Sequence, residues 1–374
     1  MRIGIDLLWV KPGMSGGTES YTRNLLYGFG ELDKENEYVL FVAKDNVDSF
    51  TDYKKYDNMQ QVVCNVKCYS PLKRYFWENL HMDNYARKAK VDVMFIPVYS
   101  KPFTYGSGIP YVTAIADLQA MHYPQYFSKI MYLYMRFIWK YTCSTADCIT
   151  AISEDCKNDI EKYYPVAKGK VETVYLPVIS SDSNMDFAEI SEKYGIKDND
   201  FYYCVSSMLP HKNLETMLKV ISSMKKNGDI RKLVISGVGG RVEEFDQWIE
   251  KYDIADCVIK TGFVSNEERD CLYEHCKLFL FPSIFEGFGM PPIEAMRRGK
   301  KVVTTHTSCI YEVTRGKAVY VEKPYDVDEW VAKIKDAEKE TGVVVPFEEY
   351  ELESITRTYL DVITKCGLKN KKNR

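Results

Sequence analysis

The sequence predicts an α/β protein with two doubly wound parallel sheets arranged in tandem. Short apolar runs alternate with amphipathic stretches along almost the whole chain, which is typical of parallel strands connected by helices. The alternation loosens in one polar segment, "LPVISSDSNMDFAEISEKYGIKDND" at 176–200, and then starts again. A chain of 374 residues is long for one domain and sufficient for two.

The first half of the chain starts with a predicted strand over Arg2–Leu8. A helix predicted over Thr18–Leu32 has its apolar residues at helical spacing, which places on one face Tyr21, Leu25, Leu26, Phe29 and Leu32. Apolar runs predict further strands at Tyr38–Ala43, Gln61–Cys68, Val91–Pro97, Tyr111–Asp117 and Cys148–Ile152. Between them we expect helices at Arg74–Ala89, Ser128–Cys143 and Ser153–Tyr164.

The second half repeats the pattern. Strands are predicted at Phe201–Ser206, Lys232–Gly237, Val258–Thr261, Leu278–Pro282 and Lys301–Thr305. Helices are predicted at Asn213–Asn227, Val242–Tyr252 and Asn266–Cys276. We therefore predict two domains, residues 1–178 and 179–348, with a C-terminal helix in 349–374 that crosses back to the first domain. Ligands of open parallel sheets bind outside the carboxyl ends of the strands, so the expected site is a cleft between the domains.

The composition is that of an ordinary globular protein and excludes several classes. With 45% hydrophobic residues, 28% charged residues and a net charge of −3, the chain lacks the basic excess that nucleic-acid binding needs. The eleven cysteines have neither C-x-x-C nor zinc spacing, so we expect reduced, mostly buried thiols. The N-terminal apolar run is too short for a signal peptide and no segment reaches membrane-spanning length, so we expect a cytoplasmic protein.

Two glutamates flank a run of glycines and prolines in "FEGFGMPPIEAMRRG". The preceding apolar run predicts a strand, Pro291 and Pro292 favour a helix start, and Gly299 is placed to end that helix. Glu286 then follows the strand and Glu294 lies in the first helical turn, where free N–H groups attract a phosphate. These residues alone are compatible with a ligand clamp, an acid/base pair or a capped turn. The segment is neither a Walker A loop nor G-x-G-x-x-G.

Several segments in register resemble the group 1 glycosyltransferases (glycosyltransferase family 4). In chain order they are "GTESYTRNLL", "ADLQAMHYPQYFS", "MLPHKNLETML", "GFVSNEERDCLYEHCKLFLFPS" and "PSIFEGFGMPPIEAMRRGKKVVTT", the last followed by "SCIYEV". The resemblance spans nearly the whole chain. It implies the GT-B architecture, two Rossmann-like domains facing each other across a cleft, with the acceptor side in 1–178 and the nucleotide sugar in 179–348.

The resemblance also implies donor-binding roles for residues of both domains. Glu286 would bind hydroxyls of the donor sugar, Glu294 the nucleotide ribose, and Lys212 the departing diphosphate. Backbone contacts to sugar and phosphate would come from Gly287, Phe288, Gly289 and Met290. Further donor contacts would come from Gly16 and Gly17, against the phosphates, and from Val264 and Leu272, in the base pocket.

Two positions depart from the family pattern. Ser207 stands where many members have an arginine, so we expect Lys212 to hold the diphosphate with His211 or helix dipoles. Ala116 precedes Asp117 where the family has a histidine against the reacting centre. Alanine can neither hydrogen-bond through its side chain nor titrate. The catalytic set implied by the resemblance (the Ala116 position, Asp117, Lys212 and Glu286) is therefore incomplete. The alanine is either natural divergence or an inactivating substitution of a histidine, and we expect weak transfer with retained nucleotide binding.

The implied activity is retaining, metal-independent transfer of a hexose from a nucleotide diphosphate sugar to a glycan or polyprenyl-linked glycan in surface polysaccharide synthesis. No D-x-D motif is placed to hold a metal, and no cofactor is expected. Two alternatives stay open. One is a catalytically silent nucleotide-sugar-binding protein, which Ala116 and Ser207 favour; the other is a sugar-nucleotide epimerase of the same architecture.

The acceptor side contains an unusual basic and aromatic stretch, "SKIMYLYMRFIWKYTC". It combines Lys129, Arg136 and Lys140 with aromatic residues, and "RYFW" at Arg74–Trp77 is a shorter mixture of the same kind. The pattern predicts either a face that contacts the inner surface of a membrane beside a lipid-linked acceptor, or a helix packed on the first sheet with its basic residues outside.

Overall fold

The computed structural model describes residues 1–103, 108–179, 185–229, 231–239 and 242–372. The chain divides into two compact units, one formed by Met1–Ile179 with Glu348–Arg374 and the other by Ser180–Phe347. Part of the polar segment predicted as a junction, residues 180–184, lies outside the described residues.

The first unit contains a seven-stranded sheet with parallel strand pairs. Its strands are β1 (Arg2–Asp6), β2 (Glu37–Ala43), β3 (Met59–Cys64), β4 (Val93–Ile96), β5 (Tyr111–Ile115), β6 (Cys148–Ala151) and β7 (Val171–Thr173). Their order across the sheet is β3-β2-β1-β4-β5-β6-β7. The direction in which the chain adds strands therefore reverses between β1 and β4, which makes this the topological switch point of the sheet.

Helices cover both faces of this sheet. They are α1 (Gly16–Leu32), α2 (Pro71–Lys88), α3 (Gln119–His122), α4 (Lys129–Thr145) and α5 (Glu154–Tyr163). One apolar cluster lies between the sheet and α2, and another between the sheet, α4 and α5. The predicted apolar face of α1 is buried except for Leu32, which is 41% exposed because it ends the helix just before the chain turns away at Asp33.

The second unit contains a six-stranded sheet, again with parallel pairs. Its strands are β8 (Phe201–Val205), β9 (Lys232–Ser236), β10 (Val258–Gly262), β11 (Leu278–Phe281), β12 (Val302–Thr305) and β13 (Val319–Val321). Their order is β10-β9-β8-β11-β12-β13, so the switch point lies between β8 and β11. The helices are α6 (Phe187–Tyr194), α7 (Leu214–Lys226), α8 (Val242–Tyr252), α9 (Asn266–His275), α10 (Met290–Arg297), α11 (Ile310–Val313) and α12 (Val327–Glu338).

The last helix, α13 (Leu352–Lys372), belongs to the first unit and packs against α1. Glycine is required at this crossing, because a Cβ atom on Gly28 of α1 would lie 2.1 Å from Thr356 Oγ1. All eleven cysteines lie in the described residues, where none forms a disulfide, and all but Cys148 are buried, as expected. Within the described ranges, no helix is both long enough and apolar enough to cross a membrane.

Candidate functional site

The switch point of the second sheet brings together Lys212, from the segment after β8, and Glu286, from the segment after β11. Lys212 Nζ donates a hydrogen bond to Glu286 Oε1 at 2.6 Å. Both side chains are largely shielded from water, with 23% and 13% of their surface exposed. The two residues that the resemblance assigns to the diphosphate and to the donor sugar are therefore partners of each other.

Local backbone geometry fixes the position of Lys212. The lysine ends a short 3-10 turn, Pro210–Lys212, and the next residue, Asn213, has left-handed backbone angles with φ 52°. Asn213 Nδ2 donates to the Pro324 carbonyl at 2.9 Å, and its Oδ1 accepts from Thr216 Oγ1 at 2.7 Å. Asparagine tolerates this conformation better than most residues. The Lys-Asn pattern thus contains one candidate site residue, Lys212, and one residue that stabilises the turn, Asn213.

His211 joins two loops and adds no positive charge. Its backbone carbonyl accepts from Ile284 N at 2.8 Å and from Ser283 Oγ at 3.2 Å. Burial, reinforced by the positive charge of Lys212, lowers the pKa of His211 to about 4. The imidazole is consequently neutral at pH 7, so the expected help of His211 with a diphosphate is limited to a hydrogen bond.

The loop after β11 is stabilised by hydrogen bonds to Ser308 and Cys309, for which no role was predicted from the sequence. Glu286 N donates to Ser308 Oγ at 3.1 Å, and that hydroxyl donates to the Glu286 carbonyl at 2.6 Å. Cys309 Sγ donates to the Phe288 carbonyl at 3.2 Å. Both residues belong to the "SCIYEV" segment that resembles the family, but only the fold shows that this segment stabilises the loop.

The predicted phosphate-contacting backbone, Gly287 to Met290, lies at the N-terminus of α10. Gly289 precedes the helix with φ 86°, and a Cβ atom there would lie 2.8 Å from Ile310 Cδ1. Only glycine fits both the angle and the space. Pro291 and Pro292 lack an N–H, so the donors of the first turn come from the residues just before them.

Glu294 lies on α10 just beyond the first turn in which it was predicted, because the helix already begins at Met290, and it is oriented by α9. Tyr273, which is completely buried, donates its hydroxyl to Glu294 Oε2 at 2.8 Å. The two residues predicted for the base pocket are placed differently. Val264 follows β10 and is half-buried, whereas Leu272 is 0% exposed. Leu272 is therefore a core residue in this structure, and its part in a base pocket stays a prediction.

In the first unit, Gly16 and Gly17 begin α1 and are exposed. Gly16 has φ 57°, and no atom lies within 4 Å of the position that a Cβ would take. The backbone here is open to close approach by a ligand, as the prediction requires.

Ala116 and Asp117 follow β5 directly and are half-buried. Asp117 Oδ2 accepts from the Tyr99 hydroxyl at 2.9 Å, and Oδ1 accepts from Gln119 N at 2.9 Å. Tyr99 has left-handed backbone angles with φ 45°. Asp117 thus anchors the segment after β4 as well as its own loop.

The nearest histidine in the sequence does not fill the place of the missing one. His122 pairs through Nε2 with Asp159 and packs edge-on against Tyr163. These contacts hold its imidazole between α3 and α5.

A polar pocket at the switch point of the first sheet was not predicted. It has a volume of about 380 Å³ and is lined by residues from the end of β1, the segment before α1, α2 and the segment after β4. Its buried charged residues are Asp6, Arg74 and Glu78. Arg74 Nε lies 3.4 Å from Glu78 Oε1 and makes no hydrogen bond to a described residue.

The pocket holds two buried carboxyl groups and one buried guanidinium. Burial raises the pKa of Glu78, and the negative charge of Asp6 raises it further. Burial also raises the pKa of Asp6, although the Leu8 N–H and Arg74 oppose this effect. The Arg74 guanidinium can balance the charge of only one carboxylate. The two carboxyl groups, Asp6 and Glu78, therefore retain one proton between them at pH values where exposed carboxyl groups have lost theirs.

Within the described ranges, no group of three or more histidine, cysteine, aspartate or glutamate side chains is arranged to hold a metal ion. Metal independence stays a prediction, because the donor's own phosphates could supply ligands.

Comparison with known proteins covers both units. The family model described as "Glycosyltransferase Family 4" matches residues 15–181, and "Glycosyl transferases group 1" matches residues 186–351. The chain is 29% identical over 239 residues to the O-antigen chain mannosyltransferase RfbU of Salmonella typhimurium, an alignment that covers 63% of each chain. The chain thus spans less than two thirds of the curated relatives it matches first.

Solved structures match along almost the whole chain. WaaG, a glycosyltransferase involved in lipopolysaccharide biosynthesis, superposes with a TM-score of 0.68 at 13% identity and covers 98% of both chains. Anabaena HepE in complex with UDP and glucose superposes with a TM-score of 0.67 at 14% identity, covering 98% of this chain and 100% of the other. These matches confirm the predicted GT-B fold class; at such identities they show the fold alone.

Proposed function

The chain belongs to the group 1 glycosyltransferases (glycosyltransferase family 4), and from this premise we propose that it transfers a hexose from a nucleotide diphosphate sugar to a glycan or polyprenyl-linked glycan. The observation that carries the proposal is the Lys212–Glu286 pair beside a glycine-containing helix N-terminus. An ammonium group and a helix N-terminus suit the diphosphate, and a carboxylate suits sugar hydroxyls. Family membership favours transfer over the epimerase alternative.

The donor site stabilises the leaving group. As the anomeric C–O bond breaks, negative charge grows on the diphosphate, and Lys212 together with the N–H groups before α10 would balance it. Glu286 would then hold the sugar by its hydroxyls, and Glu294, kept in place by Tyr273, would hold the ribose.

We propose that transfer proceeds with retention and without an enzyme nucleophile. The acceptor oxygen would form its bond on the face that the diphosphate leaves, and the acceptor proton would pass to an oxygen of the departing phosphate. Glu286 and Glu294 would not act as a glycosidase pair, because Glu286 is bound to Lys212 and Glu294 to Tyr273.

The polar pocket of the first unit is our proposed acceptor site. Asp6 and Glu78 can accept hydrogen bonds from hydroxyl groups, and the Arg74 guanidinium can donate them. The pocket also contains Lys11 and Ser15 from the segment that leads to the Gly16–Gly17 turn. A hydroxyl-rich glycan end matches this lining.

The biological setting follows the relatives. RfbU is named for mannose transfer to an O-antigen chain and WaaG for lipopolysaccharide biosynthesis. We therefore propose surface polysaccharide synthesis, with mannose as the first sugar to test. A lipid-linked acceptor would bring the enzyme to the inner face of a membrane as a peripheral protein.

The decisive experiment measures binding, hydrolysis and transfer separately with radiolabelled UDP-, GDP- and dTDP-sugars, in buffer with and without excess EDTA. Transfer with retained anomeric configuration in EDTA supports the whole proposal. Activity that EDTA abolishes and manganese restores contradicts metal independence. Failure of every nucleotide sugar to bind contradicts the donor site itself.

The second candidate, a catalytically silent nucleotide-sugar-binding protein, is favoured by one observation, the alanine at position 116. We expect Ala116→His to raise turnover while leaving donor affinity within about twofold, because the imidazole would contact the reacting centre and not the nucleotide. Single-turnover transfer by the two proteins checks this. Equal rates would show that the alanine does not limit catalysis.

A further inference from the structure

Two neighbouring helices of the first unit expose apolar side chains where a globular protein normally has polar ones. On α2 the exposed residues Leu72, Phe76 and Leu80 repeat every four positions, which places them in one row along the helix. On α4 the exposed apolar side chains are Ile130, Met131, Leu133, Tyr134 and Phe137. Exposed apolar patches of this kind mark contact sites.

The two rows enclose a groove with a volume of about 840 Å³. Leu72 and Ile130 remain 76% and 83% exposed, so the groove is shallow and its rims project into solvent. The opposite side of α4 packs in the core through Trp139 and Cys143. For α4 the sequence predicted either a helix packed on the first sheet or a face that contacts a membrane. Packing on the sheet is correct for one side of α4. The other side presents apolar as well as basic residues to solvent.

The exposed charge on these two helices has one sign. Every exposed charged side chain of α2 and α4 is a cation: Lys73, Arg87, Lys88, Lys129, Arg136 and Lys140. The acidic residues of α2, Glu78 and Asp83, point into the protein. This contrasts with the chain as a whole, whose net charge is −3.

The groove adjoins the polar pocket described above. Pro71 and Tyr75 line both, so the apolar face continues directly into the site that contains Asp6 and Arg74. A molecule held in a bilayer against the groove could place its polar end in the pocket without crossing exposed protein surface.

From these four observations we propose that the α2–α4 face docks on the surface of an anionic lipid bilayer. The apolar rows insert among the acyl chains near the head groups, and the surrounding cations contact anionic lipid phosphates. Aromatic side chains such as Phe76, Tyr134 and Phe137 suit the boundary between head groups and chains. Docking of this kind does not depend on the transfer reaction, so it can be tested in the absence of any sugar donor.

The test is flotation of the full chain with vesicles of phosphatidylcholine alone or with roughly 30% phosphatidylglycerol as the anionic lipid. We expect flotation with the anionic vesicles and at least tenfold less with the neutral ones. Phe76→Ser with Phe137→Ser should reduce flotation at least tenfold. Both side chains are well exposed, at 70% and 60%, so the fold should be kept; circular dichroism and nucleotide binding check this.

Two controls test whether flotation depends on the α2–α4 face itself or on exposed apolar and charged residues anywhere on the protein. Leu368→Ser removes another exposed apolar side chain, 53% exposed, on α13 and should leave flotation unchanged. Lys129→Glu with Arg136→Glu should abolish the preference for anionic vesicles, and added salt should mimic that loss.

Several results would overturn the proposal. One is absence of flotation with anionic vesicles, and another is flotation that Phe76→Ser with Phe137→Ser leaves intact. A third is a dimer in sedimentation equilibrium that these substitutions dissociate, because a second copy would then cover the groove. Nucleotide-sugar binding, measured on the same samples, stays interpretable in each case and tests the proposed function separately.

Discussion

The two sheets place opposite chemistry at equivalent positions. At the switch point of the second sheet, between β8 and β11, one cation meets one carboxylate beside a helix N-terminus, Lys212 with Glu286. At the switch point of the first sheet, between β1 and β4, two carboxyl groups share one guanidinium, Asp6 and Glu78 with Arg74. The second arrangement suits an anion that carries a sugar, and the first suits a neutral ligand rich in hydroxyl groups. A repeated architecture thus carries the donor site and the acceptor site that we propose on different side chains.

The largest effect should come from the cation of the second unit. Lys212→Ala should lower the rate of transfer about 100- to 1,000-fold, because the diphosphate leaves without its charge partner. Donor turnover at saturating acceptor measures this. Lys219→Ala, which removes a partly exposed lysine on α7, serves as the control and should have no effect. Similar losses in both variants would show that Lys212 acts only through general charge or stability.

A smaller effect, confined to the acceptor, should come from the first unit. Asp6→Asn should lower kcat/KM for the acceptor about tenfold to a hundredfold, because a charge-assisted hydrogen bond to a hydroxyl is lost. The asparagine can still accept from Leu8 N, a bond of 3.0 Å, so the local structure should survive. Donor affinity, measured by calorimetry, should not change. A variant that instead weakens donor binding would contradict the division of roles between the two sites.

The pH dependence of stability should reveal the buried glutamate. Since burial raises the pKa of Glu78, the folded chain holds this proton more tightly than the unfolded chain does. Stability is then complete below the ordinary glutamate pKa and falls as the pH rises from there towards the folded pKa. Glu78→Gln has no titrating group at this position, so it should not lose this stability as the pH rises. The difference in free energy of unfolding, variant minus wild type, should therefore increase by about 1 kcal/mol or more from pH 5 to pH 8.

Chemical denaturation across that range checks the expectation. Glu353→Gln, which changes a glutamate that is 61% exposed on α13, should follow the wild type at every pH. A wild-type profile parallel to that of Glu78→Gln would mean that Glu78 is ionised in the folded chain.

The smallest effect concerns a positioning residue. Tyr273→Phe should weaken donor binding about three- to tenfold, because Glu294 loses the hydroxyl that orients it but keeps its charge. The loss should be equal for a free nucleoside diphosphate and for the nucleotide sugar, since the ribose is common to both. A loss seen only with the sugar nucleotide would move Glu294 away from the ribose.

Much of the fold could be predicted because its strands and helices carry clear periodicity. The elements that were missed include β7 and β13, each of three residues, which is too short for a pattern to emerge. In α12, by contrast, a signal existed. Asp326 caps the helix by accepting from two backbone N–H groups, and Trp330 and Ile334 are buried four positions apart. No helix was predicted there, because α12 lies beyond the last segment that resembles the family.

The candidate sites divide in the same way. Lys212, Glu286 and Glu294 could be found because family motifs mark them, and the fold brings the first two into contact. The pocket of Asp6 and Arg74 could not be found. From the sequence, Asp6 is predicted only as a residue near the end of a strand and Arg74 only as a surface residue of a helix. Only the strand order places them together, and sequence does not give strand order. For Leu272, periodicity could not distinguish a pocket-lining residue from a core residue.

The contact between Lys212 and Glu286 has a consequence for selectivity. A ligand that offers only an anion, such as inorganic phosphate, would share the Lys212 ammonium with Glu286 and would bring a second negative charge close to a largely shielded carboxylate. A sugar nucleotide offers oxygens to the ammonium and hydroxyls to the carboxylate at the same time. If the proposed donor site is correct, the pair should therefore favour a sugar nucleotide over free phosphate.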